Sequence, residues 1–277
     1  MNDYKDILVI LPQNDPESLV IGELCGAFGI TCLLSAQPHG AYLGAEPDIV
    51  RRIKITKATV SVLVIIEIPG IKEEEMLRNQ GYQVDIIDHH RYDGLDRMHT
   101  KSSLEQFLEY FAISDEDLAR RGFSPLLVRG VGVIDRAFVW GLMTEEYTQE
   151  ERNQIIDYYQ GYSLKLEGEG RKEQEEIARQ ALAVAHETNG YLVVKNPKPG
   201  ARIRDALSFE IARQYEKPQP LVLYDYDVIY VQESPRAKEL YENFGGFMYG
   251  GDERCWGKKT DDMQLKMRVF GMLGLDI

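Results

Sequence analysis

The chain has 277 residues, 44% hydrophobic, 10% aromatic and 28% charged, a length that suits two domains and a composition that excludes disorder and fibrous repeats. Its net charge is −13, and residues 1–150 alone hold 14 Lys and Arg against 24 Asp and Glu, so a long nucleic acid is a disfavoured partner. A small anion that arrives with a cation is not.

The longest apolar run, Val60 to Ile66, is interrupted by Ser61 and is far shorter than the roughly 20 residues that cross a bilayer. The first residues, Met1 to Asp6, carry neither a basic segment nor a long apolar one. No membrane partner and a cytoplasmic location are therefore expected. Cys25, Cys32 and Cys255 have no C-x-x-C spacing and read as reduced, mostly packed thiols.

In chain order, Asp6 to Leu11 is a short apolar run closed by Pro12, the pattern of a strand buried on both faces. From Pro16 to Phe28 apolar residues recur every three or four positions and Gly29 follows, which predicts a helix with a glycine stop. Thr31 to Ser35, Lys57 to Ile68 and Val84 to Asp88 are further strand-like runs, with a polar helix over Ile71 to Asn79. Strands alternating with helices predict an α/β fold, a doubly wound and mainly parallel sheet whose ligands sit beyond the carboxyl ends of the strands.

Helices are then expected over Ser103 to Phe111, Pro125 to Leu142 and Thr148 to Tyr159. The Gly- and charge-rich stretch Leu166 to Lys172 places a domain boundary at about residues 160–170. Beyond it the pattern reads helix (Gln174 to Glu187), strand (Tyr191 to Lys195), Pro/Gly turn, helix (Arg204 to Tyr215), a long strand region (Leu221 to Val231) and a helix (Pro235 to Phe244), a smaller α/β domain. Tyr224, Tyr226 and Tyr230, at even spacing, would share one face of that strand, for sheet packing or for stacking a base.

The most informative tripeptide is Asp88-His89-His90, directly after the run Val84 to Ile87. Imidazole binds divalent transition metals and a neighbouring carboxylate fixes the ring's orientation; the alternative is a surface turn. His39, His99 and His186 are isolated and read as surface or packed side chains. No phosphate-loop, dinucleotide or nucleophile-elbow motif occurs.

In this tripeptide the sequence resembles the DHH phosphoesterase superfamily, which includes single-strand exonucleases, oligoribonucleases, cyclic-dinucleotide phosphodiesterases and manganese-dependent pyrophosphatases. The resemblance implies a DHH-like phosphoesterase domain over residues 1–165 and a substrate-binding domain over residues 166–277. In the family a first motif, roughly H-x-N-P-D-x-D-x-x-G, holds the first metal and helps bridge to the second. The matching stretch Gln13 to Gly22 keeps Pro16 and Gly22 but has Gln13, Glu17 and Leu19 where the family has histidine and two aspartates.

The aspartate of the second motif is matched by Glu67 in Ile65-Ile66-Glu67-Ile68-Pro69-Gly70, and that of the fourth by Asp135. The resemblance thus implies a metal site from Glu67, His89 and Asp135, with Glu17 as a further ligand position and the family's other metal site dismantled. Asp88 would be the orienting group and His90 would reach the phosphate or the leaving oxygen. From the residues alone, Asp135 could equally be a helix-surface carboxylate paired with Arg136 or Arg129, and Glu67 a solvated strand end.

Gly250, Gly251 and Gly257 keep the spacing of the family's substrate loop, G-G-H-x-x-A-A-G, with Asp252 in place of its histidine and Cys255 and Trp256 in place of its alanines. Such glycines serve either anion binding by backbone amides or tight turns. Lys195, Lys198, Arg202 and Arg204 around the Pro/Gly turn, with Arg254, Lys258 and Lys259, could receive a phosphate or be solvated turn charges. The implied activity is a divalent-metal-dependent phosphoesterase, using Mn2+ or Mg2+, as a single ion where the other site is lost, on a small phosphate ester, nucleotide or short oligonucleotide. The alternative is an inactive relative that binds a nucleotide or a protein partner as a regulator.

Overall fold

The computed structural model describes residues 4–249 and 254–275. The first half builds β1 (Ile7–Leu11), α1 (Pro16–Phe28), β2 (Thr31–Leu34), α2 (Ile49–Thr56), β3 (Val62–Ile66), α3 (Ile71–Asn79) and β4 (Gln83–Ile87). The four strands pair in parallel in the order β2-β1-β3-β4. Leu8 to Leu11 are each at most 1% exposed, as a strand covered on both faces requires. Val9 and Leu11 pack with Leu24 of α1, while Leu8 and Ile10 pack with Ile53 of α2 and Leu77 of α3. At roughly 1.5–3 kcal/mol per buried aliphatic side chain, these two cores are what hold the sheet edges in place.

The expected fold class is the one observed, an α/β sheet wound on both faces. Because β1 leads to β2 on one side and β3 returns on the other, the chain reverses direction between β1 and β3, and the carboxyl ends at such a reversal are where sheets of this kind receive ligands. The first three strands are shorter than their apolar runs. Lys57, for example, ends α2, and its ammonium donates to the carbonyls of Tyr4 and Ile7, both at 2.8 Å.

A small hairpin, β5 (Arg91–Tyr92) and β6 (Leu95–Asp96), follows β4. Then come α4 (Ser103–Tyr110), α5 (Asp115–Arg120), α6 (Pro125–Thr144), α7 (Gln149–Glu167) and α8 (Glu169–Ala183). Ser102 and Ser114 begin α4 and α5 with reciprocal capping by Glu105 and Asp117. The α6 backbone leaves helical geometry at Phe138, with φ 54° and ψ −170°.

Two compact units are distinguished: residues 4–136 with 158–166, and residues 137–157 with 167–275. The chain passes between them within α6, within α7 and at Glu167, the last crossing falling at the glycine- and charge-rich stretch.

The second unit continues with β7 (His186–Thr188), β8 (Tyr191–Lys195), α9 (Arg204–Gln214), β9 (Leu221–Tyr224), β10 (Val228–Gln232), α10 (Ala237–Phe244), β11 (Phe247–Tyr249), β12 (Cys255–Lys259) and α11 (Met263–Leu273). Its six strands run β11-β12-β10-β9-β8-β7. Leu240 of α10 and Val269, Phe270 and Leu273 of α11 close one core against Val193, Val222, Val231 and Trp256.

Three sequence expectations are corrected here. The helix expected over Gln174 to Glu187 starts at Glu169 and stops at Ala183, because His186 to Thr188 pair with β8 as an edge strand. The region Leu221 to Val231 is two antiparallel strands, β9 and β10, turned at Asp225 to Asp227. Tyr224, Tyr226 and Tyr230 therefore share no strand face: Tyr224 packs on Phe270, Tyr226 is exposed, and Tyr230 lies against Phe247 and Tyr249.

That turn is secured from below. Lys266, fully buried on α11, donates its ammonium protons to the carbonyls of Asp225 (2.5 Å) and Tyr226 (2.6 Å). Replacing it by Met leaves both carbonyls without this donor, and a cost of about 1–3 kcal/mol follows. Urea unfolding of K266M, followed by circular dichroism, should show that loss.

Candidate metal centre

Four side chains from four different elements meet beyond the sheet's carboxyl end. Glu17 comes from the first turn of α1, Glu67 directly follows β3, His89 is the second residue after β4, and Asp135 stands on α6. Asp15 starts α1 by accepting the Ser18 amide at 2.7 Å, with Pro16 at the first helical position, and this sets Glu17 one residue into the helix. Glu67 has φ 50°, a left-handed backbone that a glutamate rarely adopts, and its amide donates to the Ile87 carbonyl at 3.1 Å. The sharp turn carries its side chain off the line of β3 and toward His89.

His89 Nε2 lies 2.7 Å from Asp135 Oδ2 and 3.2 Å from Glu67 Oε1. Glu17 Oε1 accepts the Leu104 amide at 2.8 Å, at the start of α4. Glu17 Oε2, Glu67 Oε1, His89 Nε2 and Asp135 Oδ2 are all closed off from solvent, and none has a partner along a hydrogen-bond direction. One donor atom from each of these four residues lies within 4.8 Å of all the others. The His89 ring faces two of the carboxylates at ion-pair distance, yet four buried polar atoms crowded at one point without a well-directed hydrogen bond are rare in folded proteins. Three carboxylate oxygens and an imidazole nitrogen are the donor set of a divalent cation.

Electrostatics gives the same answer. At about 4 Å, two like unit charges repel by about 4 kcal/mol at an effective dielectric of 20, more than the roughly 1–3 kcal/mol of one unpaired polar group. Burial, with Asp135 and Glu67 alongside, pushes the Glu17 carboxyl well above the ordinary range. Burial alone would lower the His89 pKa, but Asp135 and Glu67 outweigh it and hold the ring's proton up to about 10. Without a cation, protons on Glu17 and His89 offset part of the cluster's negative charge.

Asp88 and His90 do different work. Asp88 is nearly sealed, and its Oδ1 accepts the His90 amide at 3.0 Å, with His90 Nδ1 at 3.2 Å. Tyr92 donates its hydroxyl to Asp88 Oδ2 at 3.0 Å; burial and the neighbouring carboxylate keep that phenol protonated. Burial would raise the Asp88 pKa, yet these hydrogen bonds prevail and hold it below the usual value. Gln106 donates to the Asp88 carbonyl at 3.0 Å, and Arg97 stands 3.9 Å from Oδ2 while pairing with Glu74. His90 is thereby fixed with its ring 4.2 Å from that of His89 and its side chain 43% exposed. Asp88 orients His90, the neighbour of the candidate ligand His89.

Of the residues singled out from sequence, Glu17, Glu67, His89 and Asp135 come together, with His90 and Asp88 beside them. Asp135 is not a surface partner of the arginines: Arg129 pairs with Asp115, Arg136 with Glu105. Glu67 is buried rather than a solvated strand end. Gln13 is exposed and Leu19 packs against the apolar core, so neither joins the cluster. Tyr92, Arg97 and Gln106 escaped sequence reasoning, although Tyr92-Asp93-Gly94-Leu95 carries the Asp-Gly signal of a hairpin.

In the second unit, Gly250, Gly251 and Asp252 lie outside the described residues. Trp256 is a core residue whose indole N–H donates to the Gly245 carbonyl at 2.7 Å. Arg254 holds the Glu233 carbonyl at 3.0 Å, and Lys198 pairs with Glu173. Arg202 is exposed. Arg204 stacks 4.7 Å from the Tyr249 ring and 5.5 Å from that of Tyr230 while pairing with Asp205. Lys198, Arg204 and Arg254 thus each hold a partner within the second unit.

No family model matches the chain, and no curated protein matches it. Solved structures do. The exonuclease RecJ bound to manganese is 15% identical, with a TM-score of 0.39 over 98% of this chain and 90% of that one. RecJ in complex with Mn2+ from Thermus thermophilus is 16% identical, with a TM-score of 0.42 over 97% of this chain but 52% of that one, so this chain spans about half its length. The pGpG-specific phosphodiesterase PggH from Vibrio cholerae is 11% identical, with a TM-score of 0.48 over 97% of each chain. Among the described residues no helix is long and apolar enough to cross a membrane.

The protonation of the cluster sets a pH dependence for the chelator-treated protein. Both His89 and Glu17 bind their protons more tightly folded than unfolded, so their contribution is present below the unfolded values and is lost as pH rises. The window for His89 runs from 6.5, its ordinary value, to about 10. The melting temperature should fall across that window, and the fall should shrink in H89Q; calorimetry at a series of pH values reads both.

Proposed function

We propose that the protein is a divalent-metal-dependent phosphoesterase acting on a small phosphate ester, nucleotide or short oligonucleotide. The observation that carries this reading is the close gathering of Glu17, Glu67, His89 and Asp135, whose buried donor groups lack well-directed hydrogen bonds. A divalent cation held there supplies Lewis-acid polarisation of a phosphoryl oxygen and neutralises the charge that develops on it. Manganese or magnesium suits the reading, and the imidazole favours manganese.

The remaining chemistry belongs to the chain's own groups. With Nδ1 against Asp88, the His90 ring presents Nε2 as the atom that hydrogen-bonds a phosphoryl oxygen or gives a proton to the leaving oxygen. Tyr92 acts through Asp88: its hydroxyl holds the carboxylate that holds the ring. In the second unit, which we assign as the substrate-binding domain, Arg202, Arg204 and Arg254, with the glycines at 250 and 251 and Asp252, are the candidates for substrate contact. The acidic surface, −13 overall, fits a small substrate better than a long nucleic acid.

The test is hydrolysis by the full chain with Mn2+, offered a model phosphodiester, dinucleotides, short oligonucleotides and pyrophosphate. Cleavage of at least one is expected, and H90A should lower the rate by about 10²–10⁴ while metal uptake is retained, as loss of a proton donor does. D135N should lose uptake and activity together. No cleavage of any of these, with no bound metal, would instead support the regulator that binds a nucleotide or a protein partner.

A further inference from the structure

We infer that the first unit pairs with a second copy of this chain through the groove between α2 and α3, with α2 of each copy facing α3 of the other. The pairing is independent of the proposed reaction, since no residue lining the groove belongs to the Glu17, Glu67, His89 and Asp135 cluster.

The groove has a volume of about 650 Å³. Buried Leu43 and Ile49 border it, while Ile55 of α2 and Met76 of α3 stand 72% and 36% exposed along it. Helical spacing accounts for the arrangement. Ile49 and Ile53, four apart, turn into the core, which leaves Arg51, Lys54 and Ile55 together on the outer side of α2. In the same way Leu77 of α3 is buried while Glu73 and Met76, three apart, line the groove. A lone apolar side chain on a surface is ordinary, but two of them beside a concave apolar lining mark a contact face.

Charge selects the occupant. From Ile49 to Lys57 the chain carries Arg51, Arg52, Lys54 and Lys57 and no acid, whereas α3 carries Glu73, Glu74 and Glu75 against Lys72 and Arg78. Arg52 is committed to Glu46, Lys57 to backbone carbonyls and Glu74 to Arg97. Among the described residues the side chains of Arg51 and Lys54 have neither an ion pair nor a hydrogen bond, and Glu73 meets the Tyr42 hydroxyl at 3.5 Å. A uniformly acidic partner would be repelled by Glu73, and a uniformly basic one by Arg51 and Lys54. A surface that offers both signs in exchanged positions matches each with its opposite, and a second copy related by a two-fold axis does so by symmetry.

The chain's net charge of −13 points to the same face. Two such molecules repel at long range, and salt screens that repulsion beyond about 8 Å at physiological ionic strength. What remains at contact is the local balance, and the bases of α2 against the acids of α3 make it favourable there.

Sedimentation equilibrium of the full chain at physiological ionic strength, over a range of concentrations, tests the pairing. A monomer–dimer equilibrium is expected, and I55E should raise its dissociation constant at least about 10-fold while the thermal melt stays unchanged. K54E and E73K should each weaken the dimer, because each sets like charges against one another. An equimolar mixture of the two should associate again, since each copy then offers the charge its partner needs. A chain that stays monomeric at every concentration overturns the inference and leaves the groove to a peptide or a small apolar ligand. A dimer that I55E does not weaken also overturns it, by placing the interface elsewhere. A mixture no more associated than its two components overturns the facing of α2 with α3.

Discussion

Three carboxylates and an imidazole, brought out of water to one point, constrain the rest of the first unit. Like charges at that separation are tolerated in a folded chain only when something positive sits among them, a proton or a cation. The sheet explains how the groups got there. Each arrives from the carboxyl end of a strand or the start of the helix behind it, at the place where the winding direction reverses, and only α6 contributes from outside that frame. The energy that pins them is ordinary apolar packing on both sheet faces, which does not depend on the site being charged.

Around this centre the hydrogen bonds are arranged in depth. The β5 and β6 hairpin supplies Tyr92, its end supplies Arg97, and α4 supplies both Gln106 and the Leu104 amide. Thus α4 touches the two halves of the site, holding Glu17 by its backbone and the Asp88 peptide by a side chain. A carboxylate fixed from several sides loses little entropy when its neighbour engages a ligand, which is how a site is made ready before anything binds.

Much of this was legible in the residues. The apolar run before Asp88 and the helical spacing from Pro16 gave their elements to within a residue or two, because burial on both faces leaves a strong pattern. Glu67, His89 and Asp135 were reachable only through the likeness of scattered motifs, since nothing in a linear pattern says that residues 67 and 135 are neighbours in space. The hairpin at Asp225 was missed because two short strands of Val, Leu and Tyr read as one when the turn between them, Asp-Tyr-Asp, lacks glycine and proline. That Asp88 holds the ring of His90 was not legible either: adjacency in sequence does not tell which of two histidines a carboxylate will meet.

The left-handed backbone at Glu67 carries one more implication. Such a conformation is costly for any side chain with a Cβ and nearly free for glycine, so the chain holds a glutamate there against its local preference. A position of that kind acts as a marker of use. In a descendant freed from any need for that carboxylate, the cheapest local improvement is glycine or asparagine at this one residue, and its persistence as an acid would be the record of a working cation site.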